Sequence, residues 1–141
     1  MSIATRSTSV QLTLLANRLS IGIYFVIAGH GKIFKTGIDA WMKSYGELTP
    51  PWLPMWFAAP YGYTLPFVEM LVGLALMLGL YGRTMALIMA MMIASFIMGK
   101  TGISHEQLPF EPNVILLTLL LLLAVTGPGR ISMDTTWRRK R

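Results

Sequence analysis

The sequence contains no cysteine, so this chain forms no disulfide, carries out no thiol redox chemistry and offers no thiolate to a metal. It is also poor in charge: 13% of its 141 residues are charged, against roughly a quarter in soluble proteins. Hydrophobic residues make up 54% and the mean hydropathy is +0.58. A soluble domain of this length cannot bury so much apolar surface. The composition therefore indicates an integral membrane protein and excludes a large soluble domain.

Acidic residues are scarce as well, with six against twelve basic ones, which gives a formal net charge of +6. Four of the basic residues occupy the last four positions, Arg138 to Arg141. A basic tail on a membrane protein acts as an orientation signal or contacts anionic lipid. The predicted partners are therefore the lipid bilayer and other protein subunits, and nucleic acid is not among them.

Long apolar segments predict four membrane-spanning helices, since about 20 such residues cross a bilayer core. They cover residues 12–34, 65–81, 84–98 and 114–125. The predicted fold class is an all-α membrane protein, a single domain over residues 1–141 formed by an antiparallel bundle of four transmembrane helices. An even number of spans places both termini on one side, and eight of the twelve basic residues fall there. This charge bias predicts cytoplasmic termini in a bacterial-type inner membrane.

A long outer loop, residues 35–64, joins the first two spans and holds seven of the fifteen aromatic residues. We expect one amphipathic helix near residues 38–45. Four prolines in the second half of the loop exclude a regular helix there and predict an irregular flap; they are Pro50, Pro51, Pro54 and Pro60. Two interpretations stay open: an aromatic anchor at the headgroup level, or a lid over a cavity between the spans.

Small and charged residues recur at helical spacing along one face of each of the first two spans. The first face consists of Arg18, Gly22, Phe25, Gly29 and Lys32. The second consists of Pro66, Glu69, Gly73, Leu76, Leu80 and Arg83. Glycines at this spacing allow close packing of membrane helices. The faces predict a Lys32–Glu69 ion pair near the outer end and, near the inner end, two arginines, Arg18 and Arg83, with Asp134 as their counter-charge.

The order of several short motifs resembles the DoxX family of small four-span membrane proteins. The motifs are R-x-x-x-G from Arg18, G-x-x-K-I-F from Gly29, P-x-x-E-x-x-x-G from Pro66, G-L-Y-G-R from Gly79 and G-P-G-R-I-S-M-D from Gly127. The resemblance implies a four-helix fold related to the membrane subunits of a thiosulfate:quinone oxidoreductase and a redox neighbourhood, without fixing a reaction.

Glu69 is the most informative polar residue, because an ionisable group within a span is costly and is a functional hypothesis by default. One interpretation is a structural ion pair with Lys32. The other is a polar wall for a quinone headgroup near the outer leaflet, formed by His30, Lys32, Glu69 and Asn113, in which His30 bonds a quinone carbonyl and Glu69 exchanges a proton.

The predicted function is a membrane-embedded accessory or anchor subunit of a redox enzyme complex that is not catalytic alone, with quinone as the candidate ligand. The alternative is a purely structural or assembly subunit without chemistry of its own. Small-solute transport is a third interpretation, disfavoured because the second span offers only apolar side chains and glycines between Glu69 and Arg83.

No metal site is predicted from two histidines without ligand spacing. The methionines of the third span, which suit copper(I) chemically, are interpreted as packing residues, and His105 as a solvated surface residue. These methionines are Met85, Met89, Met91, Met92 and Met98.

Overall fold

The computed structural model describes the backbone of residues 3–104 and 112–134, and the side chains of residues 8–99 and 112–134. Over these residues the secondary structure is helical. The elements are α1 (Ile3–His30), a π-helical segment (Gly31–Thr36), α2 (Ile38–Glu47), α3 (Met55–Leu78), α4 (Gly82–Ser104) and α5 (Pro112–Thr126). His105 and the basic tail, Arg138 to Arg141, lie outside the described residues.

Three of the helices are long and apolar enough to cross a membrane: Thr8–Thr36, Met55–Leu78 and Gly82–Gly99. The fourth apolar helix, α5, has 15 residues and is about 22 Å long at 1.5 Å per residue. That length is shorter than a bilayer core of about 30 Å. The described part of the chain is thus an all-helical membrane protein with three candidate spans and one shorter apolar helix.

The prediction of an irregular flap up to residue 64 is wrong, because α3 begins at Met55 and continues through Pro60 and Pro66. A proline within a helix releases the carbonyl four residues earlier from its hydrogen bond. Pro66 releases the carbonyl of Gly62 in this way, and the indole nitrogen of Trp41 donates to that oxygen at 3.0 Å. A side chain from α2 therefore satisfies a group that the proline leaves without a backbone donor.

The short helix expected near residues 38–45 is present as α2, Ile38–Glu47. It follows directly on Gly37, whose φ of 81° is a conformation that glycine adopts without the steric cost of a side chain. The chain can therefore turn sharply from the π-helical segment into α2.

Helix α1 packs against α3 with the backbones in direct contact. A Cβ atom at Gly22 would lie 2.8 Å from the carbonyl oxygen of Gly73, and one at Gly29 would collide with the carbonyl oxygen of Pro66. Helix α5 packs mainly against α4. Buried side chains from all four long helices fill the space between them; among the largest are Phe25, Leu65, Leu76, Met89, Ile93, Leu120 and Leu123.

The methionines of α4 point in different directions. Met89 is buried in the core, Met91 and Met98 are exposed on the apolar surface, and Met85 packs against the core edge. This distribution is that of packing residues rather than of ligands lining one face.

Candidate functional site

The candidate site is a buried ion pair between Lys32, in the π-helical segment, and Glu69, in α3. The Nζ atom of Lys32 donates to both carboxylate oxygens of Glu69, at 2.5 Å and 2.6 Å. The side chain of Glu69 is 2% exposed and that of Lys32 is 20% exposed. The pair joins neighbouring ends of two antiparallel helices, with its more accessible side at the lysine.

Lys32 lies in an uncommon backbone conformation. The segment Gly31–Thr36 continues α1 as a π-helix, a rare wide turn that occurs frequently at functional sites. Gly31 is not required there by crowding, since a Cβ atom at this position would meet nothing within 4 Å. The local backbone around Lys32 thus differs from the regular helix that the sequence predicts for this span.

Two aromatic rings lie around the lysine ammonium group. Its Nζ atom is 4.6 Å from the centre of the Trp41 ring and 5.8 Å from that of Phe96, within the range of a cation–π interaction. Because Trp41 belongs to α2, Glu69 to α3 and Phe96 to α4, the ammonium group contacts side chains from three helices.

Helix α2 is fixed over this site by contacts with α3. Trp41 donates its indole N–H to Gly62, and a Cβ atom at Gly62 would lie only 2.5 Å from the ring of Tyr45. Burial raises the pKa of the Tyr45 phenol above its ordinary value of 10, so this residue is neutral at physiological pH. The glycine permits the close approach of α2.

A second polar contact within the bundle joins α3 to α4. The hydroxyl groups of Tyr61 and Ser95 are 2.6 Å apart, and Ser95 donates to the carbonyl of Met92. Since the serine proton is engaged there, the phenol of Tyr61 is the donor of the pair. This contact lies about 12 Å along α3 from Glu69, at 1.5 Å per residue.

His30 lies at the end of α1, and Asn113 lies at the start of α5. His30 is exposed, and its ring packs against that of Phe34 with the centres 4.8 Å apart. Asn113 is half-buried in the first turn of α5. The structure therefore brings Lys32 and Glu69 together, while His30 packs on its own segment and both carboxylate oxygens already accept from the lysine.

At the opposite end of the bundle, Arg18 binds the segment that follows α5. Its two terminal nitrogens donate to the carbonyl oxygens of Pro128, at 2.7 Å, and Ile131, at 2.9 Å. The residue is only 2% exposed. The same segment is held a second time by Gln11, whose side-chain oxygen accepts from the backbone N–H of Arg130 at 2.6 Å.

Asp134 caps the start of α4. Its two carboxylate oxygens accept the backbone N–H groups of Tyr81, at 2.8 Å, and Gly82, at 2.9 Å. The first amides of a helix have no partner within the helix and carry partial positive charge, so they attract the carboxylate.

Asp134 was predicted as the counter-charge of Arg18 and Arg83, and in the structure its carboxylate hydrogen-bonds to backbone amides instead. Arg18 uses the carbonyls of the C-terminal segment, Asp134 uses the amides of α4, and Arg83 is exposed beside Gly127. Asp134 still attracts Arg18 electrostatically, while the direct hydrogen bonds of both groups go to the backbone.

Sequence reasoning missed Trp41, Phe96 and Gln11 as contributors to the two ends of the bundle. The polar position of Gln11 at the beginning of an apolar run is a usable signal. The contributions of Trp41 and Phe96 depend on how α2 and α4 are placed, which no spacing within their own segments specifies.

These features define a helical membrane protein with a buried ion pair at one end of its bundle and a C-terminal segment bound across the other. The chain belongs to the MauE family: the family model described as methylamine utilisation protein MauE matches residues 10–108. The chain is also 32% identical over 133 residues to the inner membrane protein YqjF of Escherichia coli (strain K12). The aligned region covers 89% of this chain and 92% of that protein. No solved structure matches it.

The resemblance to the DoxX family is wrong, because the family model that matches α1 to α4 is that of MauE. The motifs behind the resemblance have a physical explanation in the bundle. Three of their glycines, Gly22, Gly29 and Gly73, lie where α1 and α3 touch. Their charged residues include Lys32, Glu69 and Arg18, which form contacts at the two ends of the bundle. Motifs of this kind report helix packing and do not distinguish between families of small membrane bundles.

Proposed function

We propose that this chain is an accessory membrane protein of a redox enzyme system in the inner membrane, and that it has no catalytic activity alone. The family description, methylamine utilisation, supports this role, and the name of the Escherichia coli relative, an inner membrane protein, supports this membrane. Oxidative release of nitrogen from an amine is redox chemistry, so an accessory protein of such a process works beside a redox enzyme.

The observation that carries the proposal is the Lys32–Glu69 pair. Both oxygens of the buried carboxylate accept hydrogen bonds from the lysine, an arrangement that satisfies the charge and holds α1 to α3. A side chain so engaged is suited to fixing the shape of the bundle that an enzyme partner binds. A purely structural or assembly subunit, without any redox partner, is the alternative.

Purification from the native membrane in a mild detergent tests the proposal. The expected result is a complex whose absorption spectrum shows a flavin, haem or metal chromophore carried by a partner. The matched control is the double variant Lys32→Met with Glu69→Gln, which removes the charges together and should retain that partner. A monodisperse chain without any chromophore-bearing partner would contradict a redox role and favour the structural alternative.

Quinone binding is a second candidate. It is supported by the rings of Trp41 and Phe96 beside the Lys32 ammonium group that binds Glu69. A quinone ring can stack on such aromatic rings, with the Glu69 carboxylate as a proton acceptor or donor. The double variant separates this role from a structural one. A quinone site would lose bound quinone in the double variant although the protein accumulates normally, and equal quinone retention in both proteins would exclude it.

We further propose four membrane crossings with both termini in the cytoplasm. Exposed Arg83 and Arg130 lie at the end of the bundle where the chain leaves α5, and the exposed side chains of Lys35 and Lys43 lie towards the other end. This distribution agrees with the positive-inside rule. A reporter protein that fluoresces only in the cytoplasm should be bright when fused to either terminus. A bright N-terminal fusion with a dark C-terminal fusion would indicate an odd number of crossings.

A further inference from the structure

The groups around the Lys32 ammonium form a recognition site in their own right. One side is the carboxylate of Glu69, whose side chain is 2% exposed. Two other sides are the rings of Trp41 and Phe96. A carboxylate combined with aromatic faces is the arrangement with which proteins bind ammonium ligands.

We propose that Glu69, Trp41 and Phe96 form a binding site for a primary alkylammonium group, which the side chain of Lys32 occupies in the closed form of the site. This inference does not depend on the proposed accessory role. The ligand class follows from the contacts: an alkylammonium group of the form R–NH3+ supplies the two N–H donors that the carboxylate accepts from Lys32.

The same contacts set the selectivity of the site. A neutral or anionic ligand would leave the buried carboxylate without a counter-charge, which is strongly unfavourable. A quaternary ammonium ion keeps the attraction to the rings but has no N–H to donate to Glu69. We therefore expect primary amines to bind better than tetramethylammonium, and the corresponding alcohols not to bind.

The ligand enters from the side of Lys32. That side chain is 20% exposed, whereas Glu69 is 2% exposed, so the outer surface is reached through the lysine. Lysine has a flexible four-carbon stem whose ammonium group can extend to the membrane interface. When it extends, an external alkylammonium group takes its place, from either a soluble amine or the ethanolamine headgroup of a phospholipid.

The variant Lys32→Ala provides the direct test, because it removes the equivalent of n-propylammonium from the site. We expect its Tm in a mild detergent to lie below that of the wild type and to be restored in large part by n-propylammonium. Propan-1-ol and an equal concentration of sodium chloride should have no such effect. Lys32→Met, which refills the space with an apolar chain, and Lys32→Ala with Glu69→Gln, which lacks the carboxylate, should not respond to the amine.

The wild-type protein separates the two sources of the ligand. After reconstitution with equal amounts of ethanolamine and choline phospholipids, retention of the ethanolamine lipid measured by mass spectrometry, lost in Glu69→Gln, indicates a lipid headgroup. Equal retention together with restoration of Lys32→Ala by n-propylammonium indicates a soluble amine.

If Lys32→Ala does not accumulate, amine binding is measured on the wild type by the fluorescence of Trp41. This signal is the difference between the fluorescence of the wild type and that of Trp41→Phe. A shift with n-propylammonium and none with sodium chloride supports the site. No response of either protein to the amine beyond that to propan-1-ol, with equal retention of the two lipids, overturns the proposal.

Discussion

The two partners of the buried ion pair should differ in what their removal costs, because they differ in exposure. In Lys32→Met the carboxylate of Glu69, 2% exposed, stays in the bundle without its donor. Breaking a buried pair in this way costs about 3 to 5 kcal/mol. We expect a loss near the lower end of that range, about 3 kcal/mol, since the pair is partly accessible on the lysine side.

In Glu69→Gln the unpaired group is Lys32, which is 20% exposed and can extend to the interface. The expected loss is therefore smaller, about 1 kcal/mol, the usual value of one hydrogen bond. The double variant Lys32→Met with Glu69→Gln leaves no unpaired charge and should be more stable than Lys32→Met alone. The coupling energy between the two sites should therefore exceed about 1 kcal/mol, within the range for residues in direct contact.

Unfolding by denaturant in detergent micelles, followed by tryptophan fluorescence, measures these differences for the four proteins of the cycle. The matched control is Lys43→Met on the exposed face of α2, which should change the free energy of unfolding by less than about 0.5 kcal/mol. Additive losses in the double variant, or a Lys32→Met protein as stable as the wild type, would refute the reasoning about the pair.

Three further predictions concern packing and capping. Asp134→Ala should destabilise the protein by about 1 kcal/mol and Asp134→Asn by less, measured by denaturant unfolding; equal losses would contradict the capping role. Gly29→Ala should cost about 1 to 3 kcal/mol because the methyl group meets the Pro66 carbonyl. The control Gly46→Ala, with open space around it, should cost nothing. Equal Tm values for the two variants would contradict the close packing of α1 against α3. Trp41→Phe should cost about 1 kcal/mol through the lost indole donor. The cost should be smaller in a Pro66→Ala background, where residue 66 regains an N–H for the Gly62 carbonyl. The same cost in both backgrounds would exclude the link between Pro66 and the Trp41 hydrogen bond.

The sequence predicted those features that depend on one helix face at a time. The spacing of Arg18, Gly22 and Lys32 defines a stripe on α1, and the stripe containing Glu69 and Gly73 on α3 has the same period, so the approach of these two faces follows from the pattern. The apolar runs likewise predicted helices in all four regions, although α5 is shorter than a full span.

Features that depend on backbone groups of distant segments were not predictable in the same way. Pro60 argued against a helix in the second half of the outer loop. Nothing local shows that Trp41 bonds the Gly62 carbonyl released by Pro66. Asp134 was assigned to arginine partners because only side-chain charges are visible in a sequence. The amides of Tyr81 and Gly82 that it binds become available only where α4 happens to begin.

The contacts of Arg18 and Asp134 also bear on the order in which the protein is made. The guanidinium group of Arg18 is synthesised 110 residues before its acceptor, Pro128. The amide of Gly82 likewise precedes the carboxylate that caps it by 52 residues. During translation these contacts therefore cannot form until residues 128 to 134 have been synthesised. A chain that stops before residue 128 leaves Arg18 without its carbonyl acceptors, and one that stops before residue 134 leaves the amides of Tyr81 and Gly82 without their cap.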